Sequence, residues 1–407
     1  MATFTEDNHP KRGSLIIAGS GIASVAHFTL ETVSHLKNAD KVFYLVNDPV
    51  TEAFIQENNP DTFDLVTFYS ETKPRYHSYV EMAEIMLKEV RAGHKVLGIF
   101  YGHPGVFVHP SRRALFIARQ ENYEARMLPG ISSEDYMFAD LELDPAEFGC
   151  MTCEATELIA RNRPLNTSVH NIIWQAGIVG VSTLEYQESK FQLLVDRLER
   201  DFGPEHKVVH YVGAIRMTPQ AQSAMVVYSI QELRNPAVAN FINSGSTLYV
   251  PPRLRDVPRV DPDSATALGL PPVTTGFLSA SPTWVGSRFV TPSSYGDLEN
   301  NIVAQMNENR SRSRITEPSP AMKGLMIKLA QELKLQEEYK KDPAKVAADT
   351  PDLKEIERRA LSYGLDNTIR AVMSHRGSSS GPTEEQLKEI SWEGSTIKHV
   401  TASSIAQ

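Results

Sequence analysis

The stretch Leu15-Ile-Ile-Ala-Gly-Ser-Gly-Ile22 decides the fold of this chain. An apolar, β-branched run is followed by a glycine turn and then by apolar residues at helical spacing, which predicts a strand, a tight loop and a helix. Such a turn lets backbone N–H groups and a helix N-terminus approach a small molecule closely. We therefore expect a ligand-binding site at the carboxyl end of the first strand.

The chain has 407 residues, of which 41% are hydrophobic and 22% are charged, as in ordinary globular proteins with ample core. Its net charge of -9 at pH 7 argues against a general nucleic-acid binder, which would present a basic face. The segment Met1-Ala-Thr-Phe-Thr-Glu-Asp7 lacks the pattern of a signal peptide, and the apolar runs are too short to span a membrane. We expect a cytoplasmic protein that binds neither nucleic acid nor membrane.

Cys150 and Cys153 form the only C-x-x-C motif. A zinc site would need a second pair of ligands, and a thioredoxin-like redox pair would follow a tryptophan; the sequence offers neither. We predict two reduced thiols in a loop or a strand, and no bound metal.

Strand and helix patterns alternate through the first half of the chain. Lys41-Val-Phe-Tyr-Leu-Val46, Leu65-Val-Thr-Phe-Tyr69 and Lys95-Val-Leu-Gly-Ile-Phe-Tyr101 are predicted to be further strands. This alternation is typical of an α/β fold with a mostly parallel sheet that is covered on both faces.

A well-delimited helix is predicted between Pro74 and Gly93, with the proline in its first turn and the glycine as a left-handed C-terminal cap. Arg75 and Tyr79 are four residues apart, so both lie on one face of the first turn. From the residues alone, Tyr79 is interpreted as an amphipathic side chain that covers the core.

Two more loops of the same kind follow predicted strands. Phe100-Tyr-Gly-His-Pro-Gly-Val-Phe107 continues one strand, and Met127-Leu-Pro-Gly-Ile-Ser-Ser133 leads into a helix that is capped by Ser132 or Ser133 and runs through Asp140. In open α/β sheets, ligands bind outside the carboxyl ends of the strands. The three loops together predict one site on that edge.

The pattern of predicted secondary structure changes in the rest of the chain. Beyond Asn171-Ile-Ile-Trp-Gln175, strands follow one another closely, which favours an α+β lobe. Between Arg253 and Pro320 the periodicity is weak and only 298–306 could form a short helix, which predicts a disordered linker or an arm laid over a partner. Helical patterns return at 321–373, in a block too small for a rich core of its own.

These motifs together resemble those of the S-adenosylmethionine (SAM) methyltransferases related to tetrapyrrole-biosynthesis enzymes and, over a longer stretch, those of the fungal borosin precursors. The resemblance runs from about Gly13 to Met373, and it rests on the three loops together with Ser246-Thr-Leu-Tyr-Val-Pro-Pro252, Val209-His-Tyr211 and Lys73-Pro-Arg75. It implies an α/β, two-lobed domain with a parallel-sheet lobe and a mixed-sheet lobe, followed by a helical clasp and a flexible tail.

The resemblance also implies a division of the chain. In order, it gives a disordered N-terminus, a SAM-dependent methyltransferase domain, an extended linker or clasp arm, a helical clasp domain, a flexible leader and a C-terminal substrate peptide. These are residues 1–12, 13–253, 254–320, 321–376, 377–391 and 392–407.

By the same resemblance, the chain N-methylates backbone amides of its own tail, as the precursor of a ribosomally made peptide. SAM is the methyl donor and S-adenosylhomocysteine is the product. Family members are interlocked homodimers in which one tail enters the partner's active site, and a protease or macrocyclase releases the product. Well-known members end in an apolar peptide, whereas this tail is polar; its candidate acceptors are Ile397, Val400, Ala402 and Ile405.

Carried over residue by residue, Arg75, Tyr79 and Tyr101 match the family's catalytic residues, and Tyr69 matches a neighbouring tyrosine. We expect the Arg75 cation to favour the phenolate form of Tyr79, which accepts the amide proton. Tyr69 or Tyr101 would donate to the carbonyl oxygen. The matches to the family's SAM contacts are Tyr101, His103, Val106, Ser133, Gln175, Gly213, Ser246 and Thr247.

Three other functions remain open from the residues. The pattern Gly19-x-Gly21, with Asp48 after the second strand, begins an NAD(P)-dependent oxidoreductase fingerprint, although Ser24 occupies the position of the third glycine. A SAM methyltransferase could instead act on a separate small molecule or peptide. A non-enzymatic scaffold could use the tail as a docking motif.

Overall fold

The computed structural model describes residues 13–71, 73–146, 148–183, 189–215, 218, 220–258, 261–269, 283–285, 288–290, 297–306, 318–373 and 383–388. The predicted N-terminal segment 1–12, most of the leader and the candidate substrate peptide 392–407, with its four candidate acceptors, lie outside these residues. The chain divides into two compact units, Met1–Ser294 and Tyr295–Gln407.

The first lobe of the first unit is built on an all-parallel sheet. Its strands β1 to β5 are Ser14–Gly19, Lys41–Leu45, Thr62–Asp64, Lys95–Phe100 and Glu124–Met127. Their spatial order is β3-β2-β4-β1-β5, so the glycine turn after β1 lies beside the end of the central strand β4. This confirms the predicted α/β lobe.

Helices cover both faces of this sheet. They are α1 to α4: Leu30–Asn38, Pro49–Asn58, Arg75–Arg91 and His109–Gln120. The next helix, α5, Ser133–Asp140, packs through Met137 in a different cluster, with Ile172 and Val209. On one face, Ile17 packs with Met82 and Met86 of α3, and on the other, Ala18 packs with Leu36 and Ile55. Strands buried on both faces explain the continuous apolar runs in the sequence.

The predicted strand at 65–69 is wrong in position. The strand β3 ends at Asp64, and Leu65–Phe68 forms a 3-10 helix. The Asp64 carboxylate accepts a hydrogen bond of 2.9 Å from the Val66 N–H and caps this helix. Local capping by an aspartate therefore overrides the β-branched run that suggested a strand.

The second lobe contains a mixed sheet. Its strands β6 to β10 are Cys150–Glu154, His170–Trp174, Lys207–Val212, Ala224–Ser229 and Thr247–Val250, in the order β6-β7-β10-β8-β9. The pair β6–β7 is parallel and the other pairs are antiparallel, which confirms the mixed-sheet lobe. The helices α6 to α8 accompany it: Ala155–Ala160, Phe191–Phe202 and Pro236–Ala239.

Both cysteines lie on β6, where they are free thiols. Burial raises the pKa of Cys150 and of Cys153 to about 11, so both thiols stay protonated at neutral pH. They form part of the packing of this lobe.

The segment predicted to be a linker contains short elements. The predicted helix at 298–306 is confirmed as α10, Asp297–Met306, whereas α9, Pro262–Ala267, and the hairpin of β11, Thr283–Val285, with β12, Arg288–Val290, are not predicted. In α9 the Asp261 carboxylate accepts from the Ser264 N–H at 2.8 Å. A helix this short has a cap but too few residues for an apolar repeat, so its sequence does not reveal it.

The second unit is helical in its described part. Besides α10, it contains the helices α11 to α15, which are Pro320–Gln331, Leu333–Lys341, Pro343–Asp349, Glu355–Ser362 and Asp366–Met373. Residues 384–388 form one more helical turn, here called the leader helix. Met322, Leu361 and Ala347 are fully buried in a shared cluster. The block therefore has a small core of its own, in which short helices surround one cluster.

Candidate active site

The glycine turn after β1 holds the loop after β4 through its backbone. Gly21 and Gly102 exchange hydrogen bonds of 3.2 and 3.0 Å. A Cβ atom on Gly19 would lie 2.1 Å from the Gly102 carbonyl oxygen, and one on Gly130 would lie 3.4 Å from the Gly19 Cα. The three predicted loops therefore meet at the carboxyl ends of β1, β4 and β5.

A cavity of about 460 Å³, here called the inner cavity, opens where these loops face the second lobe. This volume is typical of small-molecule sites. Every residue that matches a SAM contact of the family lines it, and so do Tyr69 and Tyr79; the matching residues are Tyr101, His103, Val106, Ser133, Gln175, Gly213, Ser246 and Thr247.

Two residues of the inner cavity have strained backbones. Gln175 directly follows β7 with φ +55°, and Phe107 has φ +57°. Residues other than glycine rarely adopt this left-handed backbone conformation, and those that do cluster at functional sites. The Phe107 ring packs 6.0 Å from the Trp174 ring, so the strained residues lie where the two lobes meet.

Ser246 is fixed by two partners. Its Oγ accepts a hydrogen bond of 2.9 Å from the Asn243 N–H and lies 2.7 Å from Nε2 of His210. Burial lowers the pKa of His210, so its ring is neutral at pH 7. Ser246, which lines the cavity, is therefore held by a neutral imidazole behind it.

Tyr101 is suited to donate a hydrogen bond. Burial is the largest cause that raises the pKa of its phenol, and the nearby Asp48 adds to this, although the hydrogen bond with Asn47 acts in the opposite direction. The hydroxyl therefore remains protonated at neutral pH, and Tyr101 serves better as a donor than as a base.

The lining of the inner cavity fits SAM, which joins a nucleoside to a charged amino-acid end. Ile22 and Val106 supply apolar surface, while Ser133 and Thr247 supply polar groups. The space beside Gly213 is narrow, because a Cβ atom there would lie 3.3 Å from the Tyr136 ring and 3.3 Å from the Tyr211 hydroxyl. A largely apolar cleft with few placed polar groups is what such a ligand requires.

A second cavity, here called the outer cavity, has a volume of about 520 Å³ and adjoins the first. The two share Tyr79, Phe107, Val108 and Gln175. Two arginines line the outer cavity, Arg75 from α3 and Arg112 from α4. Its other lining residues are Tyr76, His109, Glu154, Thr156, Glu157, Val181 and Ser182.

The first turn of α3 places Arg75 and Tyr79 together in the outer cavity. The Arg75 backbone N–H donates to the Ser182 carbonyl at 2.9 Å, and its guanidinium Nη2 donates to the Val181 carbonyl. The Tyr79 ring lies 6.3 Å from the Tyr69 ring, nearly perpendicular to it, and 5.9 Å from the His109 ring. Three of the predicted catalytic residues therefore surround the junction of the two cavities, and Tyr101 lies in the inner one.

Several lining residues were not predicted from the sequence. His109 and Arg112 belong to α4, for which no pattern was recognised, and Asn47 and Trp174 lie at or just beyond strand ends. The rule that ligands bind beyond the carboxyl ends of strands would have found Asn47, which follows β2.

The residues that suggested an oxidoreductase are engaged elsewhere. Ser24 lies in a 3-10 helix and its Oγ donates to Asp48 at 2.9 Å. The same Asp48 oxygen accepts from the Thr51 N–H at 2.9 Å and caps α2. A carboxylate committed to a serine and a helix cap is poorly placed to hold a ribose.

Two features are absent from the described residues, a metal-binding cluster and a membrane-spanning helix. In that part of the chain, no group of three or more His, Cys, Asp or Glu residues could hold a metal ion. Among the helices described there, none is long and apolar enough to cross a membrane.

Comparison with known families gives two matches in one chain. Residues 14–222 match the tetrapyrrole (corrin/porphyrin) methylases, and residues 294–403 match the borosin biosynthesis clasp domain. Among solved structures, the chain is similar to a uroporphyrin-III-C-methyltransferase from Thermus thermophilus, with a TM-score of 0.42, 18% identity, and coverage of 65% of this chain and 99% of that one.

Curated relatives match nearly the whole chain. A methyltransferase/ribosomally synthesized type I borosin cyclic peptide precursor of Serendipita vermifera subsp. bescii is 51% identical, covering 92% of this chain and 91% of that relative. One from Gymnopilus junonius with the same description is 48% identical, covering 92% and 90%. The chain therefore belongs to the family of borosin methyltransferase/precursor proteins, in which a tetrapyrrole-methylase-type domain is followed by a borosin clasp domain.

Proposed function

We propose that this protein is a SAM-dependent peptide backbone N-methyltransferase that modifies its own C-terminal residues, 392–407. It serves as the precursor of a ribosomally made peptide that a protease or macrocyclase later releases. The relatives are named as cyclic peptide precursors that carry a methyltransferase, and they match this chain along most of its length.

One observation carries this proposal: Tyr79 lines both cavities. The inner cavity has the size and lining for the methyl donor, and the outer cavity is open enough for a peptide to enter beside it. A group at their junction is within reach of the nitrogen that receives the methyl group. This arrangement suits transfer between two substrates held in adjoining sites.

The chemistry explains why such a site is needed. An amide nitrogen is a poor nucleophile because its lone pair is delocalised into the carbonyl group. SAM supplies an electrophilic methyl group on a sulfonium ion, and transfer leaves a neutral thioether. The protein must accept the amide proton and stabilise the negative charge that develops on the carbonyl oxygen.

The side chains at the junction divide these tasks. Acting as a phenolate, the oxygen of Tyr79 accepts the amide proton, and Arg75 and Arg112 line the same cavity as counter-charges. Tyr101, which burial keeps protonated, donates to the carbonyl oxygen, or Tyr69 does so from beside Tyr79. The nitrogen forms its bond to the methyl carbon as the N–H bond breaks.

The intact mass of the purified full-length chain tests this function. After incubation with SAM, we expect the mass to rise in steps of one methylene, and fragment spectra to place every step within 392–407. An unchanged mass with bound S-adenosylhomocysteine would instead favour a separate substrate, and an unchanged mass with a bound dinucleotide would favour an oxidoreductase.

We further propose that the active form is an interlocked homodimer in which each tail enters the partner's active site. In the first unit, Phe241 is 68% and Phe116 62% accessible, and a partner subunit in the dimer would shield such side chains from water. The clasp-domain match from 294 to 403 extends into the tail itself.

A complementation experiment tests the exchange of tails. One chain carries Tyr79→Phe and an intact tail, and the other is active but ends at residue 391. After co-expression, we expect methylene additions on the tail of the first chain, because only the partner's site can supply them. An inactive chain that stays unmodified in the isolated heterodimer would show that each tail is methylated in its own subunit.

A further inference from the structure

The leader helix, residues 384–388, docks on the helical unit through one side chain. Leu387 is fully buried in a cluster with Ala360 of α14 and Val372 of α15. At its edge, Glu384 forms an ion pair with Arg359 of α14. The other residues of the leader helix are exposed, so Leu387 is its principal apolar contact.

The leader helix depends on this docking. A single turn is too short to be stable alone, because nucleation costs more than one turn returns. Its start is capped reciprocally: the Thr383 N–H donates to the Gln386 side chain at 2.9 Å, and the Gln386 N–H donates to the Thr383 hydroxyl at 3.2 Å. The cap shapes the turn, and burial of Leu387 holds it on α14 and α15.

This contact fixes the chain immediately before the tail. Trp392 follows Leu387 by five residues, and the candidate acceptor Ile397 follows it by ten. An extended chain covers at most roughly 3.5 Å per residue, so Ile397 can lie no more than about 35 Å from the buried leucine. Residues nearer to the leader helix have a shorter reach.

We propose that Leu387 is a positioning residue that anchors the leader to α14 and α15, so that chain length from this anchor selects the first amide to be methylated. The inference rests on the proposed methylation of the tail. Amides too close to the anchor cannot reach the reacting methyl group, and the first one that can reach it is modified first. Distance along the chain, rather than the side chain of the acceptor, then sets the starting position.

An insertion between the anchor and the tail tests directly whether chain length selects the first methylated amide. Four residues, Gly-Ser-Gly-Ser, are inserted between Ser391 and Trp392 of the full-length chain, and fragment spectra locate the first methylated residue at short reaction times. We expect that position to move by four residues towards the N-terminus of the tail. A first methylation that stays on the same amino acid would overturn the proposal, because the active site would then be reading the tail sequence.

Substitution of the anchor gives a second test. Leu387→Asp places a charge in the apolar cluster and is expected to release the leader helix, so that the first methylation spreads over several positions. Leu387→Met keeps the volume and should retain the single starting position. The matched control Glu385→Ala changes an exposed residue of the same turn and should leave the pattern unchanged.

Hydrogen exchange separates the anchor from the methylation itself. The amides of Gln386 and Leu387, which donate to Thr383, should exchange about tenfold more slowly in the wild-type chain and in Leu387→Met than in Leu387→Asp. If the wild-type tail gains no methyl groups but this protection is present, the proposed function fails while the docking stands. Equal exchange in all of these chains would contradict the anchor whatever the activity.

Discussion

Tyr79→Phe is expected to lower the rate of tail methylation by about 10²–10⁴-fold, the range usual for loss of a group that moves a proton in the transition state. The substitution removes only the phenolic oxygen, while the ring can keep its packing against the Tyr69 and His109 rings. The measurement is the rate of methylene addition by intact mass at saturating SAM. Binding of S-adenosylhomocysteine, followed by calorimetry, should change little, because the oxygen acts on the peptide.

Arg75→Ala should produce a loss of similar direction, since it removes a cation from the outer cavity and frees the loop that carries Val181. Arg75→Lys keeps the positive charge but loses the planar guanidinium that donates to the Val181 carbonyl, so it should restore part of the methylation rate. Tyr228→Phe, which removes a hydroxyl outside both cavities, is the matched control. Methylation at the wild-type rate in Tyr79→Phe would assign the proton to another group.

The three glycine loops could be placed from the sequence because each follows an apolar strand, and parallel strands end on one edge of a sheet. Gly21 and Gly102 pair directly, as that logic requires. Gln175 and Ser246 could not be placed in this way. They come from the mixed sheet of the second lobe, and only the packing of the two lobes brings them to the same cavity.

The outer cavity was beyond sequence reasoning for a different reason. Its α4 wall begins at His109 after Val108, without a side chain that caps the helix, so only the proline of the first turn, Pro110, signals the start. Tyr79 shows the limit of periodicity as well. Helical spacing predicted a tyrosine that covers the core, and the ring does contact the core. The junction that it lines is completed by Val108 and Gln175, which come from other parts of the chain.

Helix length explains why α10 could be predicted from the sequence while α9 could not. Ten residues are enough for a helical repeat to show, whereas the six residues of α9 are not. Family resemblance, carried by loops that do not depend on periodicity, is the source of the proposed catalytic roles that the pattern alone left undecided.

Gly19→Ala is expected to abolish the cofactor site. The added methyl group would lie 2.1 Å from the Gly102 carbonyl oxygen and 2.9 Å from Pro104, and backbone cannot yield as a flexible side chain can. Overpacking of this kind costs about 1–3 kcal/mol or more, and the loop after β4 must shift to relieve it. Tyr101, His103 and Val106 lie on the loop after β4 and line the inner cavity. A displacement of this loop by about 1 Å is enough to lower the methylation rate by roughly 10²-fold.

Thermal unfolding with and without S-adenosylhomocysteine measures this effect. A ligand at 100 times its Kd stabilises the native state by about 2.7 kcal/mol, so the wild-type Tm should rise when the ligand is added. In Gly19→Ala that rise should be absent, because the loop that lines the inner cavity has moved. The control Gly324→Ala adds the same atom in α11, where nothing lies within 4 Å, and should keep the rise. If Gly19→Ala keeps it as well, the close packing of these glycine loops does not form the methyl-donor site.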